Sequence, residues 1–497
     1  MLLLLSLVYA SLVDPSSSLP AATVILTNRT PDPALTDAAT ACDSIHGCRT
    51  LDNIIWSSVV TIFACVWTAV HRNIQGPSTG RITRILDLIR VVVVTLLVPE
   101  WVLAWAVRQW LNARTLGKDL ERARGKAQRS WRERGELKDA WVGEEGSARR
   151  RGSAGARREE DDQDEKTPSL AATPASGESD EEPPATSNKH ALSPLATEGN
   201  AGRLLGGWTT RHGFFIIMGG FHVYKDGKPI HPISPVDAIE LVKSGVLVPP
   251  TEDEIRGWSQ GDVLSKAIAI LQTLWFVIQC IARRAEGLPI TQLEVMTLAY
   301  TTITVAMYAF WWYKPLNVSG PVRVSVETLP ESEPSKEEEW YYRIFDVMTG
   351  TQDVLVDLRR ESRVPTFYGG DGSRFNEITS DVVALFVAMV FGAVHCAAWN
   401  YIFPSIAEQH IWRISSAAIV AVPAAMLVAL LLSFGPPEDS AWGPVGLVLF
   451  GLIFTFSGPV YIAARSLLLA LSFTTLRSLP AEAYETVQWT LRIPHFT

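Results

Sequence analysis

The chain has 497 residues, 47% of them hydrophobic and 19% charged, with a formal net charge of −8. That charge gives no case for nucleic acid as a partner. Apolar and charged residues are segregated along the chain, not mixed at helix or strand period; this excludes an ordinary soluble domain and predicts membrane spans separated by aqueous loops.

The first residues, Met1 to Val13, are apolar but too short to span. With small residues at Ala10 and Ser11 they read as a signal peptide over about 1–20, the alternative being an uncleaved anchor. Residues 21–53 then fall in the lumen or outside the cell. Asn28-Arg29-Thr30 is a glycosylation sequon there. Cys42 and Cys48 suit an oxidising compartment, either as a short disulfide loop or as free thiols. The expected location is an integral membrane protein of the secretory pathway or plasma membrane.

Seven apolar runs follow, at about 54–70, 88–107, 263–282, 293–312, 382–403, 415–434 and 445–471. Each approaches the roughly 20 residues that a helix needs to cross hydrocarbon, and no strand-like alternation suggests a barrel. Thr291-x-x-Glu294 is a capping box at the start of the fourth run. Trp311-Trp312-Tyr313-Lys314-Pro315 marks an interface at its end. The fold class is therefore an all-α membrane protein: a helical bundle of six or seven transmembrane helices, with small mixed α/β lobes and a disordered linker.

The second run, within the 54–107 membrane segment, holds Arg90 near its start and Pro99-Glu100 in its middle. A carboxylate in hydrocarbon costs several kcal/mol unless paired, protonated or wet. Either this segment crosses with a kink at Pro99, or it is a re-entrant or interfacial element. If it crosses, the short loops obey the positive-inside rule and the sequon at Asn317 lies outside. If it does not, the basic stretch of about 108–142, with Arg108, Arg114, Lys118, Arg122, Arg124 and Lys126, stays in the cytosol, where such stretches belong. The second arrangement is the preferred one.

Residues 143–203 are rich in Gly, Ser, Ala, Pro and charge; they cannot bury enough surface to order themselves and form a linker open to cytosolic protein partners. Residues 204–262 form a small α/β lobe. Its signals are a hairpin turning at Asp226-Gly227, a helix capped by Ser234-Pro235, and a capping box at Thr251-x-x-Glu254. The apolar His212–Gly220 stretch is read as core of this lobe. Residues 263–312 carry two spans. A second lobe covers 313–377, with Val322, Val324 and Val326 in alternation. Residues 378–472 carry the last three spans, broken at Pro423 and Gly458-Pro459, and 473–497 form a tail.

There is no phosphate-binding glycine loop, no paired Cys or His spacing for zinc, no Gly-x-Ser-x-Gly elbow and no histidine cluster. Neither enzyme activity nor a cofactor is expected. The remaining candidates are polar groups in spans: Glu100, His395, Asn400 and Arg90. His395 and Asn400 are five residues apart, roughly 140° around a helix, and need not share a face. Arg465 is late enough in the last span to snorkel to the interface.

Several strings carry a resemblance: Cys42 to Ser58, Leu271 to Arg283, Gly287 to Glu294, Trp311 to Leu316, His395 to Asn400, Leu476 to Pro480, and Tyr484 to Trp489. On these the chain resembles a family of uncharacterised fungal multi-pass membrane proteins. The resemblance implies the architecture and a fungal source, and transfers no ligand or catalytic residue. Three functions compete. The first is a channel, transporter or small-molecule receptor with a polar path near Glu100 and His395. The second is a scaffold recruiting partners through its lobes and linker. The third is a membrane-embedded lipid-modifying enzyme.

Overall fold

The computed structural model describes residues 48–133, 191–192, 207–259, 262–325, 352–433 and 442–487. The apolar first residues, Asn28, Cys42 and all of the 143–203 linker except 191–192 lie outside these. The described chain is mostly helical. Among the described residues, six helices are long and apolar enough to cross a membrane.

Thr50 caps α1 (Leu51–Thr68) by accepting from the Asn53 N–H. The run at 88–107 is not one helix. It divides into α2 (Arg81–Leu97) and α3 (Pro99–Glu133), with Val98 between them at φ −140°, ψ 60°. Proline at the first position of α3 has no N–H to donate to α2, so the ladder stops there and a new helix starts.

The long apolar helices are α1, α7 (Asp262–Ala285), α8 (Gln292–Trp311), α10 (Arg374–Cys396), α11 (Ile406–Ser433) and α12 (Trp442–Thr474). Polar contacts show that successive members run in opposite senses. At one end Arg49 pairs with Glu294, Arg283 donates to Glu485 O (2.6 Å), Gln292 to Ile402 O (3.1 Å), and Arg477 to Glu408 (3.2 Å). At the other, Thr68 meets Tyr308 (2.8 Å), Ser259 donates to Leu316 O (2.7 Å), and Asn376 to Asn112 (2.8 Å). The first end therefore gathers both ends of the described chain, and the second carries the lobe.

The α2–α3 pair enters and leaves at the lobe end. Asp87 of α2 pairs with Arg363 of the lobe, and Gln109 of α3 lies against Trp311 and Lys314. Between them the Leu96 carbonyl accepts from Tyr300 (2.5 Å). Tyr300 lies eleven residues before Trp311 on α8, roughly 16 Å deeper in the bundle at helical rise. Val98-Pro99-Glu100 is thus the tip of a hairpin set among the long apolar helices, halfway along α8.

Beyond the bundle α3 becomes the spine of the lobe, burying Leu116, Leu120, Ala123 and Ala127. α4 (Thr210–Ile217) crosses it so closely that Gly213 faces the backbone of Ala113 and Gly117 that of Thr209. Strands β1 (Ala191–Leu192), β2 (Phe221–Lys225), β3 (Lys228–Pro232) and β4 (Val322–Ser325) form one sheet in the order β1-β4-β2-β3. β2 and β3 turn through Asp226 and Gly227, both at positive φ as a tight hairpin requires. β4 joins β2 in parallel, so residues on either side of the α7–α8 pair share a single lobe. Two lobes, at 204–262 and 313–377, are the sequence expectation that this corrects: alternation in β4 gives one buried face, and the strand takes β2 as its neighbour in the same sheet. α5 (Pro235–Lys243, capped by Ser234) and α6 (Glu252–Trp258, boxed by Thr251 and Glu254) complete the lobe. With them is the short α9 (Gln352–Leu355).

Two further expectations need correction. α11 and α12 continue through Pro423 and Pro459, each proline removing one ladder bond without ending its helix. The fifth run is helical from Arg374, under a Ser373 cap, and ends at Cys396, well before Phe403.

Candidate functional site

The polar groups inside the bundle gather at the hairpin tip. Arg465 and Tyr461, one turn apart on α12, project from one face. Tyr300 comes from α8, Phe391 and His395 from α10, and Glu100 from the first turn of α3. Arg465 is 1% exposed and does not snorkel. Its guanidinium carbon lies 3.6 Å from the centre of the Phe391 ring and 5.1 Å from that of Tyr300. Cation–π contact of this kind is worth about 2 kcal/mol when dry, against several kcal/mol for burying the ion.

None of Arg465's three nitrogens has a hydrogen-bond partner. Glu100 Oε2 and the Tyr461 hydroxyl are buried without one too. Arg465 is near enough to Glu100, Tyr300 and Tyr461 to act on each electrostatically. Glu100 stands beside Tyr461 without the geometry of a hydrogen bond. The Tyr300 proton goes to the Leu96 carbonyl. Glu100 is half-buried as a residue, while its Oε2 is shut off from the surface.

His395 is also fully buried but is already satisfied. Its Nδ1 lies 2.9 Å from the Phe391 carbonyl, which only accepts, so the proton sits on Nδ1. Nε2 faces Met296 Sδ at 3.3 Å, and Trp412 donates to the His395 carbonyl (3.2 Å). This is a neutral clamp between α8, α10 and α11. Asn400 is exposed in the turn after α10, outside the cluster, because the helix ends four residues earlier. Arg90 is exposed on α2, its side chain 65% open, 4.0 Å from Asp87. Neither joins Glu100. Cys48 forms an antiparallel bridge with Glu485; its companion Cys42 lies outside the described residues, as does Asn28.

A second polar centre lies where the hairpin leaves the bundle. Lys314 is fully buried between the rings of Trp105 (4.7 Å) and Trp311 (4.9 Å). Its Nζ donates to His71 O, Gln109 Oε1 (2.7 Å) and Asn73 Oδ1 (3.2 Å). Burial draws this lysine well below its usual range. The three acceptors nevertheless match the three N–H groups of an ammonium, one more than a neutral amine carries. His71 is pulled down by burial and by Lys266 and Lys314. Nearby, Asp353 accepts from Gly369 N (2.8 Å) and lies 3.4 Å from Arg108; burial raises it to about 6 against that arginine.

The sequence pointed at Glu100 and His395 and missed Arg465, Tyr461, Tyr300 and Lys314 as partners. One signal was available: Tyr461 and Arg465 at i,i+4, with Arg465 the one charge in the run at 445–471.

The model of a family of unknown function (DUF8562) matches residues 23–145 and 185–332, more than half of the chain, taking in the hairpin, Glu100, Tyr300 and Lys314. No curated protein and no solved structure matches the chain.

Proposed function

The chain belongs to that family of unknown function, so its role has to come from its own residues, and we propose that it is a multi-pass membrane protein that binds or passes a small polar solute at the tip of a re-entrant hairpin. One observation carries this: a fully buried arginine with no hydrogen bond from any nitrogen, beside a carboxylate at the tip. Structural arginines in apolar surroundings are normally paired and hydrogen-bonded, because a bare one costs several kcal/mol. Backbone that turns at mid-depth belongs where it is covered by protein or lines a polar path. If all six long apolar helices cross, residues 48–50 and 484–487 share one side, and the basic α3 favours the cytosol for the lobe and the lumen or exterior for that side. The compartment is the secretory pathway or plasma membrane of a fungus, and no covalent chemistry is assigned. The lipid-modifying alternative would use His395 or Glu100 as an acid or base; the Nδ1 of His395 is spent on Phe391. A scaffold role is the second reading. It is favoured by α3 being shared between hairpin and lobe, which would tie a partner on the lobe rigidly to the bundle.

The test is reagent access from the lobe side. Val98→Cys and Glu100→Cys are placed separately in a chain with its five native cysteines replaced. Each is treated with a charged, membrane-impermeant thiosulfonate in sealed vesicles of either orientation. Reaction at either position, only with the lobe outward, is expected. Two folded, monodisperse variants that both stay unreacted would overturn the solute reading and leave the scaffold. Glycan on Asn28 and none on Asn317 is expected from the same orientation.

A further inference from the structure

We propose that Arg465 binds a small monovalent oxyanion of carboxylate or nitrate shape, and that each anion bound places a proton on Glu100. The proposal rests on the hairpin tip being reached by solute. A guanidinium offers five N–H donors in a planar fork that matches a two-oxygen acceptor. In Arg465 none of them meets hydrogen-bond geometry, although the Tyr300 hydroxyl lies close by, and Phe391 covers one face, so recognition is left to the edge of the fork. The site is lined by rings and one carboxylate, which favours a small, singly charged guest over a phosphate or a dicarboxylate.

Charge balance supplies the coupling. The groups acting on Arg465 are Tyr461 from its own helix, Tyr300 from α8, His395 from α10 and Glu100 from α3. The Tyr300 hydroxyl donates to Leu96, and His395 spends its Nδ1 proton on the Phe391 carbonyl. Glu100 is therefore the one anion among them, a tethered relative of the proposed guest. Two anions cannot both be neutralised by one buried cation. The guest enters as A⁻ together with one H⁺ from water. The carboxylate becomes a carboxylic acid, the guanidinium keeps its charge, and the net charge of the site is unchanged. Binding then weakens as pH rises, because the carboxylate form of Glu100 competes.

The experiment is titration calorimetry of the full chain in detergent with potassium acetate and with potassium nitrate. It is run in two buffers of different ionisation enthalpy, with potassium sulfate as a divalent control. The expected result is saturable binding of at least one monovalent anion with about one proton taken up per anion. Glu100→Gln should bind without proton uptake and lose the pH dependence. Arg465→Gln should abolish binding, and Arg465→Lys, which keeps charge but not the fork, should weaken it by about tenfold or more. No saturable binding by wild type, binding that survives Arg465→Gln in a folded protein, or proton uptake that persists in Glu100→Gln would each overturn the proposal. A tip that reacts with thiosulfonate yet binds no anion sinks this inference alone; an unreactive tip sinks the solute reading beneath it.

Discussion

Lys314 Nζ donates to Gln109 Oε1 at 2.7 Å across 205 positions of sequence, and by that bond the outgoing arm of the hairpin is fastened to the end of α8. Trp311 Nε1 donates to the same oxygen (3.0 Å), and Gln109 Nε2 reaches Tyr368 O (2.7 Å) and Asn73 Oδ1 (2.9 Å). Four chain segments meet on two side chains.

Lys314→Met keeps the length and removes the ammonium; it strands the buried His71 carbonyl at about 1–3 kcal/mol and takes a charged donor from Gln109 Oε1 and Asn73 Oδ1, each of which keeps one neutral donor. A loss of about 3 kcal/mol or more is expected in the unfolding of the detergent-solubilised chain. A loss below about 1 kcal/mol would show that the cage holds nothing together.

The tip cluster should behave in the opposite way. A buried ion pair replaced by apolar or neutral groups of like volume is often neutral or stabilising by about 1–4 kcal/mol. The double variant Glu100→Gln with Arg465→Met is expected to melt at or above the wild-type temperature. A loss of about 3 kcal/mol would mean that the cluster is kept for stability.

Gly213 marks the α3–α4 crossing. A Cβ there would meet Ala113 O at 2.1 Å and Ala113 C at 2.8 Å, both backbone atoms that cannot swing aside. Gly213→Ala is expected to cost about 2–4 kcal/mol by overpacking. Gly125→Ala, on α3 with nothing within 4 Å, should gain about 0.5–1 kcal/mol from helix propensity. Equal melting temperatures for the two variants would contradict the crossing.

Burial, with His231 as a lesser cause, lowers His222 on β2 to about 4. Between its ordinary value near 6.5 and 4 the unfolded chain takes the proton and the folded lobe does not. Stability is therefore lost as pH falls through that window. Asp353, raised to about 6, works the other way, so the informative quantity is a difference between variants. His222→Phe should melt less steeply with falling pH than wild type from pH 7 to 4.5; identical slopes would refute the assignment.

What the sequence determined by itself was set by local rules. Segregated apolar runs, the Thr291–Glu294 box, the Ser234-Pro235 cap and the Asp226-Gly227 turn each depend on residues within a few positions of one another, and each element formed there. Pro99 showed that the second run was irregular, because a missing N–H is visible in the sequence. Only the tertiary structure decided where that irregularity points. The depth of the tip is set by Tyr300 on α8, and the companion of Glu100 by Arg465, 365 positions away. The single lobe is set by β2 taking β4 as a parallel neighbour across the α7–α8 pair. Whether a charge deep in an apolar run is a snorkelling end, a clamp or a site depends on what packs around it. For His395 that was a carbonyl that satisfied it; for Arg465 it was two aromatic rings that did not.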